Sequence, residues 1–196
     1  MSSGSIEQEI KFGGVELEQL RERLAELEAE RVGAGSFEDN LILDKDGELE
    51  GRQCILRLRT DGQGATLTYK GPARFEGRLK IREEHETKIA NAGEAKALFK
   101  ALGYEPVRRY QKVREEWHLG GVTIALDHTP IGDFAEFEGE GAETVARRCG
   151  LDLDKSERRN YLRLYEDYLK EHPEAPANML FKEDEAPASN GGRASG

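Results

Sequence analysis

Several stretches of the sequence set carboxylates and basic groups at every second position. "IEQEIKF" carries Glu7, Glu9 and Lys11 with Ile6, Ile10 and Phe12 between them, and "KIREEHE" lines up Lys80, Arg82, Glu84 and Glu86. "ILRLRT" alternates Arg57 and Arg59 with Leu56 and Leu58, and "TLTYKG" sets Thr66, Thr68 and Lys70 against Leu67 and Tyr69. "YQKVREEWH" aligns Lys112, Arg114 and Glu116 opposite Val113, Trp117 and Leu119, with Glu115 as a charge on the otherwise apolar side. "ALDH" adds Asp127, and "DFAEFEG" places Glu136 and Glu138 opposite Ala135 and Phe137. At the two-residue period of a strand, each set falls on one face.

A solvated outer face of an antiparallel sheet shows the same alternation. Two features favour an enclosed face. The charges come as close doublets of Glu or Arg, and the helices need a sheet surface to cover, for which only the apolar face is available. If the sheet curls, its apolar face points outward to the helices and its charged face points inward. Glu7, Glu9, Glu84, Glu86, Asp127, Glu136 and Glu138 then oppose Lys11, Arg57, Arg59, Lys70, Arg82, Lys112 and Arg114, seven acids against seven bases. Enclosed charges are tolerable when paired, hydrated or bound to ions. A triphosphate with its divalent cations suits such a chamber, because basic groups hold phosphate oxygens and carboxylates hold hard cations.

The elements that must position these residues follow from the periodicity. Residues 6 to 12 alternate as a strand and end at Gly13-Gly14. From Val15 to Glu30 the period changes, with Leu17, Leu20, Leu24 and Leu27 forming the stripe of an amphipathic helix. "FEDNLILD", the turn "KDGE" and "RQCILRLRT" read as strand, turn, strand, and "DGQG" introduces a further hairpin. "GEAKALFKALG" reads as a short helix bearing Ala95, Leu98, Phe99 and Leu102, closed by Gly103. "AETVARRCGL" and "RRNYLRLYEDYLK" read as helices. Seven or eight strands in hairpins with helices between them give an α+β fold, a barrel or strongly curved antiparallel sheet. Residues 172–196 are rich in Pro, Ala, Ser and Gly and read as a largely disordered tail, with Met179, Leu180 and Phe181 as the group suited to docking.

The chain has 196 residues and a net charge of −10, which argues against adhesion to nucleic acid or an anionic membrane surface. It lacks a run of about 18 apolar residues. Cys54 and Cys149 are too few for a disulfide framework and read as reduced thiols of a cytoplasmic protein. "DKDGE" lacks the acids of a calcium loop, no Gly-Lys-Ser/Thr loop is present, and the four histidines show no metal spacing.

"EQEIKF", followed in order by "LRLR", "LTYKGP", "REEHE", "KVREEW" and "LDHTPIGDFAEFEG", resembles the CYTH family, which groups class IV adenylyl cyclases with thiamine triphosphatases among the triphosphate tunnel metalloenzymes. The resemblance covers about residues 6 to 169 and is specific through the ordered set, with "TYKGP" closest to the cyclase-like branch. It implies an eight-stranded antiparallel tunnel over residues 1–171 and Mg²⁺- or Mn²⁺-dependent work on ATP, thiamine triphosphate or tripolyphosphate by a monomer or homodimer. By motif, Glu7, Glu9, Glu136 and Glu138 would bind metal with help from Glu84, Glu86 or Asp127. Lys11, Arg57, Arg59, Lys70, Arg82, Lys112 and Arg114 would grip phosphates, and Lys11, Lys70, Glu7 and Glu9 would form the catalytic group. Asn160 stands where the family often has serine before a tyrosine, so nothing catalytic is carried over there. Cyclisation, hydrolysis and plain polyphosphate binding all need this cage.

Overall fold

The structure is a computed structural model that describes residues 5–32 and 35–182. In chain order the elements are β1 (Ser5–Gly13), α1 (Leu17–Glu26), β2 (Glu30–Arg31), β3 (Ser36–Asp44), α2 (Glu48–Gly51), β4 (Ile55–Asp61), β5 (Gly64–Lys70), β6 (Arg74–Glu76), β7 (Leu79–Ile89), α3 (Ala92–Ala101), β8 (Glu105–Leu119), β9 (Val122–Thr129), β10 (Gly132–Glu138), α4 (Ala142–Arg148), a 3₁₀ turn (Leu153–Lys155) and α5 (Tyr161–Glu171). Eight strands pair in the circular order β1-β10-β9-β8-β3-β4-β5-β7 and back to β1, each antiparallel to its neighbours, so the sheet closes into a barrel. The short β2 and β6 pair onto β8 and β7 outside that circuit.

Closure gives each strand an inside and an outside. Ile10, Phe12, Ile124, Ala135 and Phe137 point out and form one core with Leu17, Leu20 and Leu24 of α1 and Ala142, Val145 and Ala146 of α4. The leucine stripe predicted for Val15–Glu30 is therefore real, but the helix ends at Glu26. Glu28 adopts φ +57 and the chain turns to pair β2 with β8. That turn explains Glu115, the charge on the apolar side. It is buried but accepts from Trp117 Nε1 at 2.7 Å and Arg21 Nε at 3.1 Å, and it pairs with Arg31 at 3.0 Å.

The helix at Ala92–Ala101 forms as expected, capped by the Asn91 side chain accepting from the Gly93 and Glu94 amides. It buries none of its residues, so α3 does not cover the barrel. The "DKDGE" turn forms and leads into the single turn of α2, and Asp44 accepts from the backbone amides of Lys45, Leu49 and Glu50 at 2.7–3.0 Å.

Helix α5 packs against the barrel, where its Tyr161 and Tyr165 join Ile42, Tyr110, Phe134 and Met179 in a second core. The first part of the tail is built into the wall beside it. Met179 N donates to Arg109 O and Gln111 N donates to Met179 O, and Met179 is fully buried. Phe181 stacks on His128 at 5.5 Å. The remainder of the tail, residues 183–196, lies outside the described residues. Among the described residues no helix is long and apolar enough to cross a membrane.

Candidate active site

The barrel interior holds a cavity of about 390 Å³ lined mostly by charged side chains. One wall is acidic. Strand β1 lies between β7 and β10, so Glu84, Glu7, Glu9 and Glu138 converge from three neighbouring strands. Glu9 and Glu138 are direct cross-strand partners, a like-charge placement that is unfavourable on its own. Lys70 Nζ lies 2.6 Å from Glu7 Oε1 and 2.7 Å from Glu84 Oε2, and Lys80 Nζ lies 2.6 Å from Glu9 Oε1. These two lysines leave the wall incompletely neutralised. Glu7 Oε2 is buried without a hydrogen-bond partner. Burial, reinforced by Glu9 and Glu84, raises the Glu7 carboxyl although Lys70 opposes the shift. Burial and then the charge of Glu7 push Glu138 up to about 7, with Glu84 and Glu9 adding to the rise and Lys70 opposing it.

The adjoining wall, which starts at β9 beside β10, is organised around Asp127. This fully buried carboxylate, paired across strands with Arg114, accepts from Arg114 Nε at 2.7 Å and a second Arg114 nitrogen at 2.6 Å. Lys112 Nζ donates to it at 3.0 Å and the Tyr161 hydroxyl at 2.6 Å. Burial alone would raise its pKa, but Arg114 and Lys112 outweigh burial and hold it low. Glu136 is likewise held by Lys11, at 3.0 Å, and by Arg114. Lys11 Nζ also sits 4.2 Å from the centre of the Tyr161 ring.

Further along this wall, Arg57 donates to Thr68 Oγ1 at 3.2 Å and reaches Tyr110 Oη at 3.5 Å, and Arg59 reaches Glu38 at 3.5 Å. The buried Nε atoms of Arg57 and Arg59 have no hydrogen-bond partner. Asn40, in register between Arg59 and Tyr110, is fully buried with both amide atoms unpartnered. Buried polar atoms are nearly always satisfied, so these orphans are unusual; Arg57 and Arg59 line the cavity, whereas Asn40 lies behind its lining.

The structure thus separates the residues singled out by alternation. Lys11, Arg57, Arg59, Lys70, Lys112, Arg114, Glu7, Glu9, Glu84, Glu136 and Glu138 all line the one cavity. Glu86 lies there too but is turned to the basic side, accepting from Thr68 at 2.9 Å and lying 3.9 Å from Arg57. Asp127 is fully saturated beneath it. Arg82 lines the cavity too, but it spends much of its guanidinium on main-chain carbonyls, with Nε at 2.9 Å and a terminal nitrogen at 2.6 Å from Gly71 O, and so fastens the turn after β5.

Tyr161 and Glu38 belong to the same constellation without an alternation signal, and Lys80, which has that signal, joins the site although it is outside the expected phosphate-binding set. Lys80 shares the parity of Arg82 and Glu84, a legible signal. Glu38 was hidden because both faces of "FEDNLILD" mix polar and apolar residues, and the place of Tyr161 depends on how α5 enters the barrel.

Among the described residues no three His, Cys, Asp or Glu side chains converge tightly enough to hold a metal as the site stands. By donor chemistry, Glu7, Glu9, Glu84 and Glu138 fit a hard divalent cation: they are carboxylates gathered on three adjacent strands, one of them with an orphaned oxygen. Lys70 and Lys80 stand in as their counter-ions here.

The chain is similar to several known proteins. The CYTH domain pattern matches residues 5–160. A Methanocaldococcus jannaschii protein named as a candidate adenylate cyclase is 29% identical over 134 residues, 68% of this chain and 76% of the relative. Among solved structures, a candidate adenylate cyclase from Vibrio parahaemolyticus superposes with TM-score 0.72 at 22% identity, covering 83% of this chain and 99% of its own. A Hippeastrum protein, described as a candidate adenylyl cyclase with a dominant triphosphatase activity, has TM-score 0.56 at 18% identity, covering 85% of this chain and 88% of its own.

Proposed function

Because the chain belongs to the CYTH domain family, we propose that it is a divalent-metal-dependent enzyme acting at phosphorus in a triphosphate. The observation that carries this reading is the lining of one cavity by Glu7, Glu9, Glu84 and Glu138 on one side and by Arg57, Arg59, Lys112 and Arg114 on the other, with a buried Glu7 oxygen lacking a hydrogen-bond partner. A triphosphate with Mg²⁺ or Mn²⁺ would supply counter-charge to both.

In this reading Glu7, Glu9, Glu84 and Glu138 hold the metal, which supplies charge neutralisation and orients phosphate oxygens. Arg57, Arg59, Lys112 and Arg114 grip phosphate oxygens from the other wall. Lys70 and Lys80 pass from the glutamates to phosphate as the ligand enters. Lys11, pinned by Glu136 and the Tyr161 ring, and Lys70 neutralise the charge that develops on the reacting phosphoryl group. Arg82 and Asp127 act as positioning residues, the first on the turn after β5 and the second on Lys112 and Arg114.

The first candidate reaction is cyclisation of ATP. The 3′-hydroxyl oxygen bonds to the α-phosphorus, its proton is lost, and the bond from that phosphorus to the bridging oxygen breaks to release pyrophosphate. The name of the Methanocaldococcus jannaschii relative favours it. Hydrolysis, with water attacking the γ-phosphorus, is the second reading, and the activity described for the Hippeastrum protein favours that one. Incubation with ATP, thiamine triphosphate or tripolyphosphate and Mg²⁺ or Mn²⁺, with cyclic AMP, pyrophosphate and orthophosphate measured, tests both. Metal-dependent product from at least one substrate is expected. Absence of turnover in a folded protein that still binds tripolyphosphate would leave a binding module instead.

A further inference from the structure

The segment after α5 lies past residues 5–160, the stretch that matches the CYTH domain, yet it is built into the barrel wall. Strand β9 pairs with β8 only from Val113 onward, and residues 176–181 take up the edge of β8 before that point. Met179 N donates to Arg109 O at 3.1 Å and Gln111 N donates to Met179 O at 2.9 Å. Asn178 Oδ1 accepts from Arg109 N at 2.8 Å, and Phe181 N donates to Gln111 Oε1 at 3.2 Å. The segment is thus a strap fixed at four points.

What the strap holds is α5. The Tyr165 hydroxyl donates to Pro176 O at 2.5 Å, with Asn178 O at 3.2 Å as the alternative acceptor. Met179 is 1% exposed and shares one apolar cluster with Tyr110, Tyr161 and Tyr165. A cavity of about 150 Å³ remains between α5, β8 and the strap, bounded by Tyr161, Tyr165, Leu169, Ala177 and Met179 among others. Side chains beside a void lack partner atoms on that side, so each contact that is made there counts for more. One turn before Tyr165, Tyr161 faces the site. Its hydroxyl donates to Asp127 at 2.6 Å, and Lys11 and Lys112 lie 4.2 and 5.1 Å from its ring centre.

We propose that Met179 and Tyr165 are positioning residues that fix Tyr161 through the strap, and through Tyr161 hold Lys11 and Asp127 in the geometry used at the reacting phosphoryl group. The proposal rests on the triphosphate reading above and extends that machinery from the barrel strands to the tail. A misplacement of about 1 Å costs a reaction about a hundredfold in rate, so a shift of this ring is read in turnover. Phosphate grip should be spared, because β4, which carries Arg57 and Arg59, is set by its pairing with β3 and β5.

The test compares wild type with Met179→Ala, Met179→Leu and Tyr165→Phe, measuring cyclic AMP, pyrophosphate and orthophosphate well below each melting point. Met179→Ala enlarges the cavity and is expected to melt lower. Its turnover is expected to fall about tenfold with KM within about twofold of wild type, the split that marks an interaction made in the transition state. Met179→Leu keeps the volume and is expected to keep wild-type turnover. Tyr165→Phe keeps the ring but releases the strap carbonyls, so a few-fold fall in kcat is expected; it decides the matter if Met179→Ala is too unstable to assay. The Lys11 ε-methylene protons, shielded by the face of the Tyr161 ring, report the same geometry by NMR without turnover. They are expected to move toward the values of a free lysine in Met179→Ala and to stay in place in Met179→Leu. Unchanged kcat in Met179→Ala and Tyr165→Phe, an equal fall in Met179→Leu, or a loss that appears in KM would overturn the positioning role and leave the triphosphate reading standing. If wild type turns over none of the triphosphates, that reading fails and the proposal goes with it.

Discussion

Asp127 and Glu138 are both inward-facing carboxylates on neighbouring strands, yet the fold treats them oppositely. Asp127 takes hydrogen bonds from Arg114, Lys112 and Tyr161 and is held low in pKa. Glu138 faces Glu9 across the strand pair, lies near Glu7 and Glu84, and is pushed up to about 7. The first is an internal strut that fixes two cations in place. The second belongs to a wall whose charge is balanced only when something else arrives. Satisfied and unsatisfied polar groups thus separate scaffold from site, although all sit in one barrel and share one alternation.

The largest expected effect is at the strut. Asp127→Ala removes the carboxylate that Lys112 and Arg114 share, leaving the first only Glu38 at 3.6 Å and the second only Glu136, so urea denaturation should show a loss of about 3 kcal/mol. A loss under about 1 kcal/mol would mean that the two walls are not distinct. Glu7→Gln strikes the unsatisfied wall: metal-dependent turnover should fall by about two orders of magnitude, while stability stays within about 1 kcal/mol because a repelled acid is being removed. Retained activity in that variant would count against Glu7 as a metal ligand. Tyr161→Phe removes one hydrogen bond to the Asp127 carboxylate and keeps the ring under Lys11, so the expected destabilisation is about 1.5–3 kcal/mol.

The smallest effect is a pH dependence. Between the ordinary Glu value of 4.5 and about 7, folded Glu138 keeps a proton that the unfolded chain has released. Its contribution is therefore greatest below 4.5 and is lost as pH rises toward 7. The difference in melting temperature between wild type and Glu138→Gln should drift against wild type across that window, and added Mg²⁺ should flatten the drift. A constant difference from pH 4.5 to 8 would show that the carboxyl is not raised.

Much of this was legible in the chain. The alternation of Glu7, Glu9 and Lys11 with Ile10 and Phe12 is a local property, because a strand's period is set by its own backbone. The leucines of α1 follow from the helical period in the same way. Less legible was which helix would find a sheet to cover: α3 has an apolar stripe as plausible as that of α1, but Leu98 and Leu102 stay exposed. Arg82 shows the same limit at one residue, since its parity places it inside the barrel while the nearby carbonyl of Gly71 takes its guanidinium.

By itself the sequence determined which residues share a face, where the four longer helices lie, and that the charged face is balanced. Tertiary structure alone decided which charges cancel. Glu7 meets Lys70 and Glu84 because β1 pairs with β7, and Glu9 meets Glu138 because β1 also pairs with β10. Those neighbours lie some 60 to 130 residues apart in the chain, and only barrel closure, with its register, brings them within hydrogen-bonding range.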